Sequence, residues 1–311
     1  MRSKKIILLT SLLSLLVVCE SQESSTPAGS SQESMEHPPA FEGRIVFHSN
    51  MDGDNEIYLL TKDGLTKLTD NDWQDEYPAW APDGRRIAYT ANPGGNYDIH
   101  IMNSDGSEAQ AVTSDRLDEK EPAWYPDGIT IAYSREKKGL LKKNIVLMKI
   151  NSETGRARAV IPRYDKTHAI PHVSPSSPLV TFTGKRSMGW DAAVYNWETG
   201  KVLYLDEGGK SCRARFSRDG KMLAYVSSKA DGRGDIWLMK PDGSGKRRLT
   251  ERENTYDYFP AWSPDGRYVV FNSSAQHDHR GDWGLFIVEV GTGRVMKIFD
   301  SPGNDVFPDW R

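Results

Sequence analysis

The sequence predicts an all-β fold, a six-bladed β-propeller with four antiparallel strands per blade. Three observations carry that expectation. A seven-residue phrase, Pro78-Ala79-Trp80-Ala81-Pro82-Asp83-Gly84, returns as Pro122-Ala123-Trp124-Tyr125-Pro126-Asp127-Gly128 and as Pro260-Ala261-Trp262-Ser263-Pro264-Asp265-Gly266. Degraded copies stand between and after them: Pro171-His172-Val173-Ser174-Pro175-Ser176, Ala214-Arg215-Phe216-Ser217-Arg218-Asp219-Gly220 and Pro308-Asp309-Trp310-Arg311. The steps between first residues are 44, 49, 43, 46 and 48, a period with one aromatic per unit that belongs to propeller-like arrays. Beyond the leader no stretch sustains a helical period.

Within a unit the elements follow in a fixed order. The Trp phrase is the first strand. Pro-Asp-Gly is a turn in which Pro presets φ, Asp bonds its own backbone and Gly accepts positive φ. A β-branched and aromatic second strand follows, as in Ile87-Ala88-Tyr89, Ile131-Ala132-Tyr133 and Val269-Val270-Phe271. After a polar loop comes a third apolar run: Ile99–Met102, Ile145–Met148, Ala193–Tyr195, Ile236–Met239 and Leu285–Val288. A Gly turn such as Asp105-Gly106 or Asp242-Gly243 closes it, and a short last strand such as Val112-Thr113 or Leu249-Thr250 ends the unit. Residues 44–69 form a unit without its first strand, and Val306–Trp310 a first strand without the rest. Joining them closes the ring and removes the open edge of the array. Residues 41–311 then divide into six blades of about 45 residues.

Two segments precede the propeller. Met1–Lys5 is basic and Ile6–Val18 is an apolar core of 13 residues, short for a membrane span and suited to a signal peptide. It leads to Cys19, which resembles the lipidated cysteine of a bacterial lipoprotein signal, although Val18 stands where Gly, Ala or Ser is usual. Residues 1–19 are thus read as a signal peptide ending at a lipidated Cys19. Residues 20–40, a Ser/Glu/Gln/Pro tract without apolar period, are read as a disordered tether. Cys212, the other cysteine, is read as a half-buried inert thiol. Formal charge is −3; the leader holds Arg2, Lys4 and Lys5 and no acid, so the remainder carries −6. Scattered Lys and Arg on a mildly acidic chain argue against nucleic acid as a partner.

The Pro-Ala-Trp-Ser-Pro-Asp-Gly phrase, the Ile-Ala-Tyr and Ile-Trp-Leu-Met strands, Asp-Gly and the closing Leu-Thr together resemble the repeat of the TolB-type, WD-like six-bladed propeller. The resemblance spans 41–311 and is clearest at 260–271 and 235–250. It implies the fold and, for TolB proteins themselves, work in the Tol–Pal envelope system. TolB proteins also carry an α/β domain before the propeller. This sequence reads as a tether there, so partners engaged through that domain are not implied.

Catalytic motifs are sparse. The sequence holds no Gly-x-Ser-x-Gly, no Gly-x-x-x-x-Gly-Lys and no His-Glu-x-x-His. His277 and His279 read as solvated loop residues, and Asn50–Glu56 as an Asp-Gly hairpin loop rather than a calcium loop. Topology points further. In a propeller, the turns joining the first strand to the second and the third to the fourth share one face, and here these are short and uniform. The other connections vary in length, including 91–97, 135–143, 184–190 and 274–282, and variable loops on a rigid scaffold carry binding. On that face, three residues before each first-strand Pro or its equivalent, stand Asp75, Glu119, His168, Ser211, Asp257 and Asp305. They are read either as caps of the loop backbone or as an acidic ring at the channel mouth that attracts a cation such as calcium or a basic partner group.

The sequence reading is therefore a non-catalytic interaction or scaffold module of the bacterial cell envelope. It would be exported to the periplasmic side, held at the membrane through a lipid on Cys19, and monomeric. Its partner would be an envelope protein or cell-wall component bound at Asp75, Glu119, His168, Asp257 and Asp305 on the variable-loop face, without a resident cofactor or metal. The alternative is a propeller enzyme, a carbohydrate lyase or hydrolase, or a ligand sensor, using the same mouth.

Overall fold

A computed structural model describes residues 41–138, 143–161, 167–205, 208–277 and 282–311. The expected leader, the lipidation site Cys19 and the tether lie outside the described residues, as does His279.

Blade 1 holds β1 (Arg44–Ser49), β2 (Glu56–Thr61) and β3 (Gly64–Lys67), and blade 2 holds β4 (Asp75–Trp80), β5 (Arg86–Ala91), β6 (Asp98–Asn103) and β7 (Gln110–Ala111). Blade 3 is β8 (Glu119–Trp124), β9 (Thr130–Lys138), β10 (Lys143–Asn151) and β11 (Ala157–Ala159); blade 4 is β12 (His168–Val173), β13 (Leu179–Arg186), β14 (Gly189–Asn196) and β15 (Val202–Tyr204). Blade 5 is β16 (Ser211–Phe216), β17 (Leu223–Ser227), β18 (Asp235–Met239) and β19 (Arg247–Arg248). Blade 6 is β20 (Tyr256–Trp262), β21 (Tyr268–Ser274), β22 (Gly284–Glu289) and β23 (Val295–Phe299), and the last strand is β24 (Val306–Trp310). These form six antiparallel four-stranded sheets, and the described residues contain no helix. The fold is the expected six-bladed propeller.

Closure occurs where the split unit predicted it. β24 pairs with β1 through Ile45↔Trp310 and Val46↔Asp309, and the Arg311 amide donates to the Arg44 carbonyl at 2.8 Å. Trp310 is 1% exposed, with Phe41 edge-on at 5.8 Å, and its indole N–H donates to the Glu42 carbonyl at 2.8 Å. The apolar second and third strands bury both faces between neighbouring blades. Phe47, Phe182 and Phe271 are fully buried, and Tyr133 and Tyr225 almost so. The Pro-Asp-Gly turns form as expected, with Gly84, Gly128 and Gly266 at φ of 69°, 67° and 71°, a conformation that disfavours a side chain.

Two features depart from the sequence expectation. In blade 3 the third strand is shifted. Ala132 pairs with Lys149, whereas Ala88 pairs with Ile101, so 147–150 rather than 145–148 match 99–102. The 135–143 and 184–190 connections also extend as hairpin ladders, pairing Glu136 with Ile145 and Arg186 with Gly189. The second departure recurs around the ring. Every inner strand is interrupted at the residue before its Pro or Pro equivalent. Tyr77, Glu121, Ile170, Arg213, Phe259 and Phe307 have φ of 55°, 60°, 56°, 56°, 54° and 56°. Non-glycine residues are uncommon there, and a β-branched one such as Ile170 is an outlier. The register of the inner strand shifts at each of these points, as between Glu76 and Ala79. Hydrogen bonds between blades hold several of the exposed amides: Tyr77 N–H to His48 Nδ1 at 3.2 Å, Ile170 N–H to Glu121 Oε2 at 2.8 Å and Arg213 N–H to Thr183 Oγ1 at 2.9 Å.

Candidate functional site

The acids singled out from the repeat sit at equivalent blade positions, but they are interior. Asp75 and Glu119 are 1% exposed, and Asp257 and Asp305 are fully buried. Their partners are groups of the blade junctions. Asp75 Oδ2 accepts from Asn71 Nδ2 at 2.7 Å, and Arg135 Nε lies 3.2 Å from Glu119. Asp257 Oδ1 accepts from the Ser273 hydroxyl at 2.6 Å, and Asp305 takes both the amide and the hydroxyl of Ser301, at 2.9 and 2.7 Å. Ser211 Oγ accepts the Ala192 amide at 3.0 Å, and His168 is buried edge-on against Phe182 at 4.7 Å.

The closing Thr of three blades joins this scheme. Thr69, Thr113 and Thr250 accept the amides of Ile57, Ile99 and Ile236 at 2.8, 2.9 and 3.0 Å, and Thr69 donates to Glu56 at 2.5 Å. Burial pushes Asp75 and Glu119 up to about 7 and Asp305 up to about 6, and it raises Asp257 as well. A mouth that recruits a cation or a basic group needs exposed carboxylates. These acids are instead buried at the blade junctions, where Asp305 takes the Ser301 amide and the others meet side chains. Among the described residues no group of three His, Cys, Asp or Glu is placed to hold a metal ion.

Further along the axis, the six left-handed residues close the channel. The Phe259 and Phe307 ring centres are 3.5 Å apart, and Tyr77 meets Phe307 edge-on at 4.3 Å. The Arg213 guanidinium lies 4.2 Å from the centre of the Phe259 ring. Glu121, raised by burial, accepts the Ser134 hydroxyl at 2.5 Å and is stabilised by the charges of Lys120 and Arg213. The rings, the Arg213 guanidinium over Phe259 and the buried Glu121 carboxylate leave this level packed.

Beyond the plug a cavity of about 610 Å³ opens at the opposite mouth, among the short turns. Its apolar wall is the repeat itself: Trp80, Trp124 and Trp262 with Pro82, Pro126 and Pro264. Two of the indoles are fixed by neighbouring blades, Trp124 donating to the Ala79 carbonyl at 3.2 Å and Trp262 to that of Arg215 at 3.1 Å. Its polar wall comes from the degraded copies. The residue after Pro is Ala79, Ala123 and Ala261 in the intact copies but His172, Arg215 and Asp309 in the degraded ones. Arg218 replaces the turn Pro of blade 5, and Arg311 also lines the cavity.

These polar groups are held in place. Asp309 accepts the Trp80 amide at 2.7 Å and lies 3.4 Å from Arg215 Nη1. Arg218 donates to the Trp310 carbonyl and Arg311 to the Pro82 carbonyl. His172 Nδ1 accepts the Phe216 amide at 3.2 Å; burial first, then the charges of Arg215 and Arg218, hold the imidazole well below its usual value and so neutral. Three guanidinium groups against one carboxylate give the wall a positive field that favours an acidic group. The sequence already carried the signal for these residues, in the places where a copy breaks its own repeat. Loop length pointed to the other face.

Comparison with known proteins agrees with the architecture. Residues 17–187 match the family model described as TolB beta propeller domain. The Tol-Pal system protein TolB of Francisella tularensis is 26% identical over 228 residues, covering 71% of this chain and 52% of that protein. An uncharacterised Agrobacterium fabrum protein is 30% identical over 146 residues, 44% of this chain and 49% of that protein. The chain thus spans about half the length of these curated relatives. Among solved structures, TolB from Acinetobacter baumannii superposes with a TM-score of 0.70 at 20% identity, over 88% of this chain and 67% of that one. A putative TolB from Agrobacterium tumefaciens gives 0.65 at 22%, over 85% and 90%. With its family model matched over more than half of its length, the chain belongs to the TolB β-propeller family.

Proposed function

We propose that this chain is a non-catalytic interaction module of the bacterial cell envelope. It is exported, held at the membrane through Cys19, and presents its propeller to a protein or cell-wall partner. Family membership and likeness to Tol-Pal system proteins support the envelope setting. The observation that carries the reading is the axial cavity on the turn face. It offers fixed cations and indoles for binding, and its imidazole is held neutral by burial and by the charges of Arg215 and Arg218. The contact face is therefore the turn-face mouth rather than the variable-loop mouth, whose acids are buried.

The test restores the repeat. Arg215→Ala, Arg218→Pro and Asp309→Ala together give the wall the residues of the intact copies. The triple variant should still fold, because Arg215 and Asp309 leave together and no buried charge is left unpaired, and should melt below the parent by the lost acceptor of the Trp80 amide. Captured from detergent-solubilised envelopes, the parent should retain a specific partner that the variant loses. A partner held equally by both proteins would move the contact away from this cavity; failure of the parent to retain any would overturn the module reading.

A further inference from the structure

A second cavity, of about 590 Å³, opens on the turn-face rim between blades 3 and 4, away from the axis. It arises where blade 3 breaks the pattern of the others. The residue that the second strand pairs with at this level is Leu59, Ile101, Val194, Leu238 or Ile287 in the other five blades, and Lys149 in blade 3. The strand alternation puts Lys149 on the face of Leu147, which packs into the apolar core between blades 3 and 4. Directly across the ladder Lys149 faces Arg158, a like-charge pair that destabilises a sheet on its own.

A second substitution accompanies the first. The residue after the blade Trp or its equivalent, whose amide bonds to the second strand, is Ala81, Ser174, Ser217, Ser263 or Arg311 in the other blades and Tyr125 here. Tyr125 is 7% exposed, lines the cavity, and its buried hydroxyl has no hydrogen-bond partner among the described residues. A buried hydroxyl without a partner is unfavourable, so the site is incomplete as it stands. The one carboxylate of the lining, Asp127, is committed to its own turn. It accepts the amides of Ile129 and Thr130 at 2.9 and 2.8 Å and the Thr130 hydroxyl at 2.7 Å. Lys149, Arg156 and Arg158 face it with an excess of positive charge, and Trp197 adds a ring 5.5 Å from that of Tyr125.

We propose that this cavity binds a small organic anion. Its carboxylate or phosphate would sit between Lys149, Arg158 and the Tyr125 hydroxyl, and its body against the Trp197 ring. The ligand supplies what the lining lacks: negative charge between like cations and an acceptor for the orphan hydroxyl. The volume lies within the about 300–1,000 Å³ usual for small-molecule sites. The inference is independent of the axial cavity and of any envelope partner.

The test uses D-glucuronate and glucose 6-phosphate as carboxylate and phosphate probes and glucose as the neutral control, at constant ionic strength, with the whole chain. At least one anionic probe should raise the melting temperature of the parent and give a saturable isotherm by calorimetry, while glucose should do neither. Lys149→Leu, the residue type of the other blades, should be at least as stable as the parent and lose about tenfold or more in probe affinity. Tyr125→Phe removes only the hydroxyl and should also weaken binding, which keeps the test open if the lysine variant misfolds. No shift of the parent by either probe, equal shifts of the parent and Lys149→Leu, or equal binding of glucose would each overturn the proposal.

Discussion

At Asp75 burial opposes hydrogen bonding, and burial wins. Removal from water raises its pKa to about 7, and the neighbouring Glu56 charge adds to the rise, against the lowering effect of the Asn71 and Thr69 hydrogen bonds. Unfolded, an aspartate titrates near about 4. Between those values the folded state holds the extra proton, so the stability from this group is full below about pH 4 and is lost as pH rises through about 7. Glu119 and Asp235, both raised to about 7, act in the same sense. His48, held at about 3 by burial and Lys120, acts in the opposite sense, but only below about pH 6.5, where an unfolded histidine takes up its proton. The melting temperature should therefore fall from about pH 6.5 to about pH 8, and Asp75→Asn should flatten that fall. A parent whose melting temperature rises over this window, or a variant with the parent's slope, would count against these assignments. The spacing of the repeat located these acids, but their burial, which raises their pKa values, is not encoded in spacing. Ala79, Ala123 and Ala261 set a background against which Arg215 and Asp309 stand out, a signal present in the sequence and weaker than the loop lengths that drew attention elsewhere.

Among the elements, β24 has the most direct test. It supplies the inner strand of blade 1, and without it β1 has an unpaired edge. Removing 306–311 deletes Trp310, buried at 1% exposure, together with its edge-on contact to Phe41 and Phe307 from the axial plug. Loss of one buried tryptophan costs about 3–5 kcal/mol. The truncated chain should melt far below the parent or fail to fold, as read by circular dichroism; equal melting would mean that the ring does not depend on this strand. The split unit made the closure legible, because strands and turns have local signatures. Two element-level features were not. The two-residue shift of β10 was hidden because Ile145–Met148 is as apolar as the run that pairs in other blades. The left-handed residue in each inner strand was hidden because Tyr, Glu, Ile, Arg and Phe have no common preference for positive φ. The geometry of inner strands crowding an axis imposes it, and hydrogen bonds such as that from Tyr77 to His48 hold it.

The whole molecule separates its two ends along the axis. Buried acids and a plug of rings close one mouth, and the other opens into a cavity walled by tryptophans and arginines. The proposed placement of this propeller at an envelope membrane rests on the sequence of residues 1–40. The apolar core Ile6–Val18 is too short to span a bilayer comfortably, and Cys19 stands between it and a Ser/Glu-rich tract. The proposed lipid attachment at Cys19 would hold the cavity within reach of partners at a membrane surface. Cys19→Ala, expressed in a bacterial host, should shift the protein from the membrane pellet to the soluble envelope fraction without changing the melting temperature of the propeller. Membrane association that survives the substitution, or a mass spectrum with the leader intact in the parent, would remove the lipid anchor from the reading while leaving the turn-face cavity to be tested on its own.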